Sequence, residues 1–167
     1  MASYWFITTW KFVAPIGKVW EAVGDSASYP QWFSLVSSVS LVREGDRETG
    51  VGSVYRTHVN SKLPYSLSFE LETVRRIPPH LLEVTSAGEL EGSGRWDLTE
   101  ENGVTSAVFH WYVRTTKPWM NVTAPLLRGI FALNHKKVMD EGGEQLARYL
   151  GARLVGNYSH EEKQVNL

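Results

Sequence analysis

The 167-residue sequence contains no cysteine. Disulfides, thiolate nucleophiles and cysteine-ligated metals are therefore excluded. Charge of one sign is also lacking: 17 basic against 18 acidic residues leave a formal net charge of -1. No basic run is longer than the pairs Arg75-Arg76 and Lys136-Lys137. Nucleic-acid binding needs a clustered positive surface, so no nucleic-acid partner is expected. No apolar run approaches the roughly 18 residues of a membrane span. The stretch from Met1 to Pro15 shows no charged leader ahead of an apolar segment. A cytoplasmic protein without an integral membrane segment is expected. His58, His80, His110, His135 and His160 share no helical metal-ligand spacing, so no metal site is expected. Neither a Gly-x-Ser-x-Gly elbow nor a phosphate-binding loop occurs, and no cofactor is expected. Gly92-Ser93-Gly94 sits inside strand-like alternation, where glycine marks a bulge or a close approach.

Aromatic residues, by contrast, are plentiful, with seven Trp and seven Tyr among them. Large rings fill cores and also line concave apolar sites. Tyr4, Phe6, Thr8, Trp10 and Phe12 alternate with smaller or polar residues, which is strand periodicity. Pro15 then opens a short helix carrying Val19, Trp20 and Val23, and Ser28–Trp32 reads as a second helical turn. Six further strand-like runs follow: 36–43, 52–60, 65–77, 81–87, 90–99 and 104–116, the last two joined across Asn102-Gly103. Asn-Gly between alternating runs is a hairpin signal, and short links without helices imply an antiparallel meander.

From Trp119 to Leu150 the apolar period becomes helical. Leu127, Phe131, Val138, Gly142 and Tyr149 fall on one face of a helix of about 25 residues or more. Pro125 is expected in an opening bend. Gly142-Gly143 costs helix stability, which close approach to the sheet would offset. Gly151 fits a C-cap. The expected fold class is α+β: a seven-stranded curved antiparallel sheet around a long C-terminal helix, two short helices lying between strands 1 and 2. Residues 1–155 form one domain in this reading, and 156–167 a polar, frayed tail.

Val13-Ala14-Pro15-Ile16-Gly17-Lys18-Val19-Trp20 resembles the opening of the START-related, SRPBCC or Bet-v-1-like superfamily. Tyr29-Pro30-Gln31-Trp32, Leu63-Pro64-Tyr65, Gly88 to Trp96, Lys117-Pro118-Trp119-Met120 and Asn134 to Met139 resemble its bacterial polyketide cyclase/dehydrase branch. The resemblance covers about residues 3–151. It implies the helix-grip fold and an internal cavity between sheet and helix. The fold hosts cyclases, lipid carriers and chaperone activators alike, so it does not fix activity.

The candidate cavity residues are Arg56, His58, Tyr65, Phe69, Trp96, Trp111, Phe131 and Asn134. Tyr65, Phe69, Trp96 and Trp111 stand on apolar strand faces, and Phe131 on the apolar helix face. Asn134 lies near that face, where it orients a ligand or bonds to a backbone group. His135 is placed at the edge of the face. Arg56 and His58 share a strand face that, if inward, forms a polar end to the pocket. Histidine would then act as a base and arginine would stabilise an anion. The loops around Tyr29–Trp32 and Ser61–Tyr65 are candidate gates.

Three functions remain open at this point. The first is binding of a hydrophobic or aromatic small molecule, such as a lipid, quinone or polyketide-like compound. The second is a cyclase or dehydratase, which requires an inward acid/base group with a perturbed pKa. The third is a protein-interaction module, such as a chaperone activator. A carrier requires a cavity of roughly 300 Å³ or more.

Overall fold

The computed structural model describes residues 2–163. The elements follow the order β1 (Ser3–Val13), α1 (Ile16–Val23), α2 (Tyr29–Trp32), β2 (Val36–Arg43), β3 (Val54–Asn60) and β4 (Ser66–Ile77). Then come β5 (Leu81–Gly88), β6 (Leu90–Glu101), β7 (Val104–Thr115), α3 (Pro118–Leu150) and β8 (Arg153–Glu161). All neighbours pair antiparallel in the order β2-β3-β4-β5-β6-β7-β1-β8. The helix-grip architecture expected from the sequence is present, with eight strands instead of seven.

The eighth strand corrects the expected frayed tail. Phe6 to Val13 pairs with Glu161 back to Arg153, so β8 covers the outer edge of β1. Of its half-buried positions, Leu154 packs against the core, while Ser159 and Asn157 are polar and bonded: Ser159 Oγ lies 2.7 Å from Thr8 Oγ1, and Asn157 Nδ2 donates to Asp140 O. Residues 164–167 of that tail lie outside the described residues.

Alternation on β1 puts Tyr4, Phe6, Thr8, Trp10 and Phe12 inward, all buried. Trp10 is wholly buried. A Trp removes on the order of 200 Å² from water, worth about 5 kcal/mol before the opposing costs. The two short helices pack Val19, Val23, Trp32 and Phe33 around it. Gly142 and Gly143 let α3 descend onto this cluster. A Cβ on Gly142 would stand 2.7 Å from the Phe33 ring and 3.1 Å from Trp10, and one on Gly143 2.9 Å from Trp10. The indole of Trp10 donates to Met139 O at 3.1 Å, which fixes the height of the helix.

α3 runs 33 residues, with Pro118 in its first turn. Pro125 lies inside the helix, about two turns from its start, and not in the opening bend expected for it. Gly151 caps the helix in the left-handed conformation, φ 61°. Tyr149 departs from the expected apolar face: it is exposed, and its hydroxyl donates to Gln31. A second core cluster, around Phe6, Leu67, Phe69, Trp111, Met120 and Phe131, lies towards the N-terminal half of α3.

Candidate functional site

Between the concave sheet and α3 lies a cavity of about 190 Å³. That is below the roughly 300 Å³ expected of a carrier. An apolar cavity of about 150 Å³ holds one benzene, so the space suits one or two rings.

One wall is a run of rings contributed by inward positions of β4, β6 and β7. Trp96 stacks on Phe109 at 4.6 Å, Phe109 on Trp111 at 5.6 Å, and Phe69 tilts against Trp111 at 6.1 Å. Gly94 makes this wall possible, because a Cβ there would meet the Trp111 ring at 2.9 Å. The close approach expected of the Gly92–Gly94 segment is thus to a ring of the cavity wall. At the rim, Tyr65 meets Trp119 and Phe131 edge-on, at 5.6 and 6.1 Å.

Of the sequence candidates, Tyr65, Phe69, Trp96, Trp111, Phe131 and Asn134 line the cavity. Arg56 and His58 do not. Both are exposed on the outer face of β3, where Arg56 pairs with Glu70 at 2.7 Å. The inward face of β3 presents Thr57 and Val59 instead. Strand alternation forces that choice: burying Thr57 and Val59 turns the charged pair to water. Asn134 lines the cavity, but its Oδ1 accepts from the Lys62 amide at 3.0 Å. It is therefore engaged with the Ser61–Tyr65 loop. Lys62 also pairs with Glu141 at 2.8 Å, so α3 holds that loop at two points. The other candidate gate is packed shut. Tyr29 donates to Val23 O at 2.7 Å, burial raises its pKa, and Trp32 is buried.

The lining residues that were not among the candidates include three with polar side chains of particular interest, Tyr4, Thr57 and His135. Among the described residues, the Tyr4 hydroxyl, Thr57 Oγ1 and His135 Nδ1 are buried and find no hydrogen-bond partner. Buried polar atoms are normally bonded, so three of them on residues that line one cavity single out this region. His135 stacks on Phe6 at 3.9 Å and 10°. The residue as a whole is half-buried, but its Nδ1 is fully shielded. Desolvation pushes its pKa down to about 3, so the ring is neutral near pH 7. Burial raises the Tyr4 pKa, partly opposed by the Arg128 guanidinium 4.7 Å from its ring. Among the described residues, no Asp, Glu, Lys or Arg lines the cavity.

Residues 8–151 match the family model described as polyketide cyclase / dehydrase and lipid transport. The chain belongs to this family. No curated protein matches the sequence. Solved structures of the START/SRPBCC superfamily share the fold. The di-domain ARO/CYC protein BexL, from the BE-7585A biosynthetic pathway, superposes with a TM-score of 0.66 at 23% identity. That match covers 90% of this chain and 51% of BexL, so the family member described here spans about half of the di-domain protein. The Zhui aromatase/cyclase of a Streptomyces strain gives 0.64 at 17% identity, covering 89% and 96% of the two chains. A START superfamily protein from Mycobacterium smegmatis gives 0.63 at 15% identity, covering 86% and 99%. At these identities the likeness is one of fold.

Proposed function

We propose that this chain binds a hydrophobic or aromatic small molecule, of polyketide, quinone or lipid type, between the sheet and α3. The observation that carries the reading is the cavity itself, walled by Phe69, Trp96, Phe109 and Trp111 and free of charged side chains among the described residues. Its volume of about 190 Å³ favours one or two rings over a long acyl chain. An interaction module would carry a filled interior, and the cavity speaks against that. Trp96 and Trp111 report directly on occupancy. Titration of the protein with a small apolar aromatic should quench and shift tryptophan emission with one-site saturation. Emission that stays unchanged to the solubility limit of every such probe refutes the reading.

One observation supports a second reading, a cyclase or dehydratase. His135 is an inward histidine with a strongly perturbed pKa, as such an enzyme requires. The direction of the perturbation weighs the other way. A general base works best with a pKa near the operating pH, and a value of about 3 makes His135 a hydrogen-bonding partner more than a proton acceptor. Incubation with a poly-β-keto thioester, followed by mass analysis for loss of water, separates the two readings. Turnover abolished by His135→Phe would establish catalysis.

A further inference from the structure

Tyr4, Thr57 and His135 approach the cavity from three elements. Tyr4 stands on β1, Thr57 on β3 and His135 on α3. In the sheet order β1 and β3 are separated by β4 to β7, so curvature of the sheet sets them on opposing walls of one cavity. Tyr4 and His135 both stack on Phe6, at 5.7 and 3.9 Å, which keeps their polar atoms on the β1–α3 side. Tyr4 and Thr57 are each only 4% exposed, yet neither hydroxyl has a partner. Two other polar side chains of the lining, Thr115 and Tyr29, are satisfied. Thr115 Oγ1 donates to Asn121, and Tyr29 donates to Val23 O.

Resting on the binding reading above, we infer that the cavity selects an uncharged, oxygen-bearing aromatic molecule over both its apolar parent and its carboxylate, with Tyr4, Thr57 and His135 as the specificity-determining residues. Two facts oppose each other to define that class. The three unpartnered atoms favour a ligand with hydroxyl or carbonyl oxygens, because a hydrocarbon leaves all of them unbonded. The absence of any lining Lys or Arg, with a neutral His135, disfavours an anion, because a carboxylate would be buried without a counter-charge. A hydroxyl can donate or accept, and a neutral imidazole offers one nitrogen of each kind. The three groups therefore fit either hydroxyl or carbonyl oxygens at opposite edges of a planar ring system. Fatty acids and other acidic lipids fall outside this class, which narrows the broader reading.

Three probes of one shape test it: naphthalene, 2-naphthol and 2-naphthoate, titrated at pH 7 by tryptophan fluorescence. One added hydrogen bond of ordinary strength should make 2-naphthol bind about 10-fold more tightly than naphthalene. Naphthoate should bind more weakly than either. In Tyr4→Phe and Thr57→Val, which remove only the hydrogen-bonding oxygen or exchange it for a methyl, the ratio of the two neutral affinities should fall towards one. Equal affinities for naphthol and naphthalene in the unmodified protein, or tighter binding of naphthoate, would overturn the selectivity while leaving the cavity reading intact. Binding of none of the three would overturn the cavity reading and this inference with it. The ratio in the unmodified protein decides the matter even where a variant does not fold.

Discussion

A hydroxyl buried without a partner weakens the protein that carries it, so removing it should help the unliganded fold. Tyr4→Phe is the cleanest such change. The ring keeps its stack on Phe6 at 5.7 Å and its place under Arg128 at 4.7 Å. Only the oxygen is lost, at a residue 4% exposed and with no bond to the hydroxyl. An unsatisfied buried polar group costs about 1–3 kcal/mol. Taking the low end, the variant should gain about 1 kcal/mol. For a chain of this size that raises Tm by about 2–4 °C. In urea the midpoint should rise with no change in slope, since the surface exposed on unfolding is unaltered. The order should narrow on adding an oxygenated ligand. At 100 times its Kd, ligand stabilises the parent by about 2.7 kcal/mol. A 10-fold weaker Kd leaves the variant about 1.4 kcal/mol at the same concentration, which cancels its head start. If Tyr4→Phe instead loses 1 kcal/mol or more without ligand, the hydroxyl is paired in the folded protein, for example to a buried water. The reasoning from unpartnered atoms would then fail at its first step.

Three further outcomes follow from the same geometry. His135 is neutral in the fold with a pKa near 3, while the unfolded chain takes up a proton below its ordinary 6.5. Stability should therefore fall as pH drops from about 6.5 towards 3, by at most about 1.4 kcal/mol per pH unit, and urea midpoints of His135→Phe should show a shallower fall. Gly142→Ala should destabilise by about 1–2 kcal/mol, since overpacking against Phe33 and Trp10 outweighs the gain of about 1 kcal/mol in helix propensity; thermal melts read this, and a stabilised variant would mean that Phe33 can retreat. Asn134→Ala releases the Lys62 amide, so the Ser61–Tyr65 loop should open more readily and stopped-flow displacement should show faster ligand release; an unchanged off-rate would place the gate elsewhere.

The strands and the long helix were legible because their periods are strong: five inward residues of β1, and a 3.6-residue apolar recurrence through Phe131, Val138 and Gly142. The glycine pair signalled its own packing, since two glycines within a helix invite close approach. β8 was not legible. Beyond Leu154 its inward positions include Asn157 and Ser159, polar residues that bond to Asp140 O and Thr8, so the apolar alternation that reveals a strand is broken. Edge strands tend to be polar, because a long apolar edge invites aggregation. The misplacement of Arg56 and His58 has a related origin. The two faces of β3 are nearly matched in polarity, Val54, Arg56 and His58 against Tyr55, Thr57 and Val59. Only the pairing with β4, Thr57 opposite Phe69, decides which face turns inward. The helical spacing places His135 at the edge of the apolar face, as a boundary residue. Its flat ring serves as an aromatic surface against Phe6, a role that residue type alone does not disclose.

The two halves of α3 are held by different means, and this bears on how the cavity would admit a ligand. The C-terminal half is clamped. Gly142 and Gly143 lie on Trp10, Gln145 both accepts from and donates to Ser34, and Leu146 is wholly buried. Disturbing that half would disrupt the core around Trp10. The N-terminal half meets the rest through Met120 and Phe131, through Asn121 with Thr115, and through Arg128 with Ser3 and Glu161. Val122 and Leu126, by contrast, are 80% and 84% exposed. α3 meets the Ser61–Tyr65 loop through edge-on rings at Trp119 and Phe131, an exposed hydrogen bond at Asn134 and, beside the clamped half, an exposed ion pair at Glu141. An exposed ion pair is worth about 0–1 kcal/mol, and an aromatic pair about 0.5–1.5 kcal/mol beyond its buried area. Lifting the loop thus costs little beside unfolding, whereas moving the Trp96–Phe109–Trp111 wall costs core packing. On the binding reading proposed above, selection by shape and polarity would belong to the ring wall and the three unpartnered atoms, and access to the loop. Displacing Tyr65 from Phe131 would enlarge the volume of about 190 Å³.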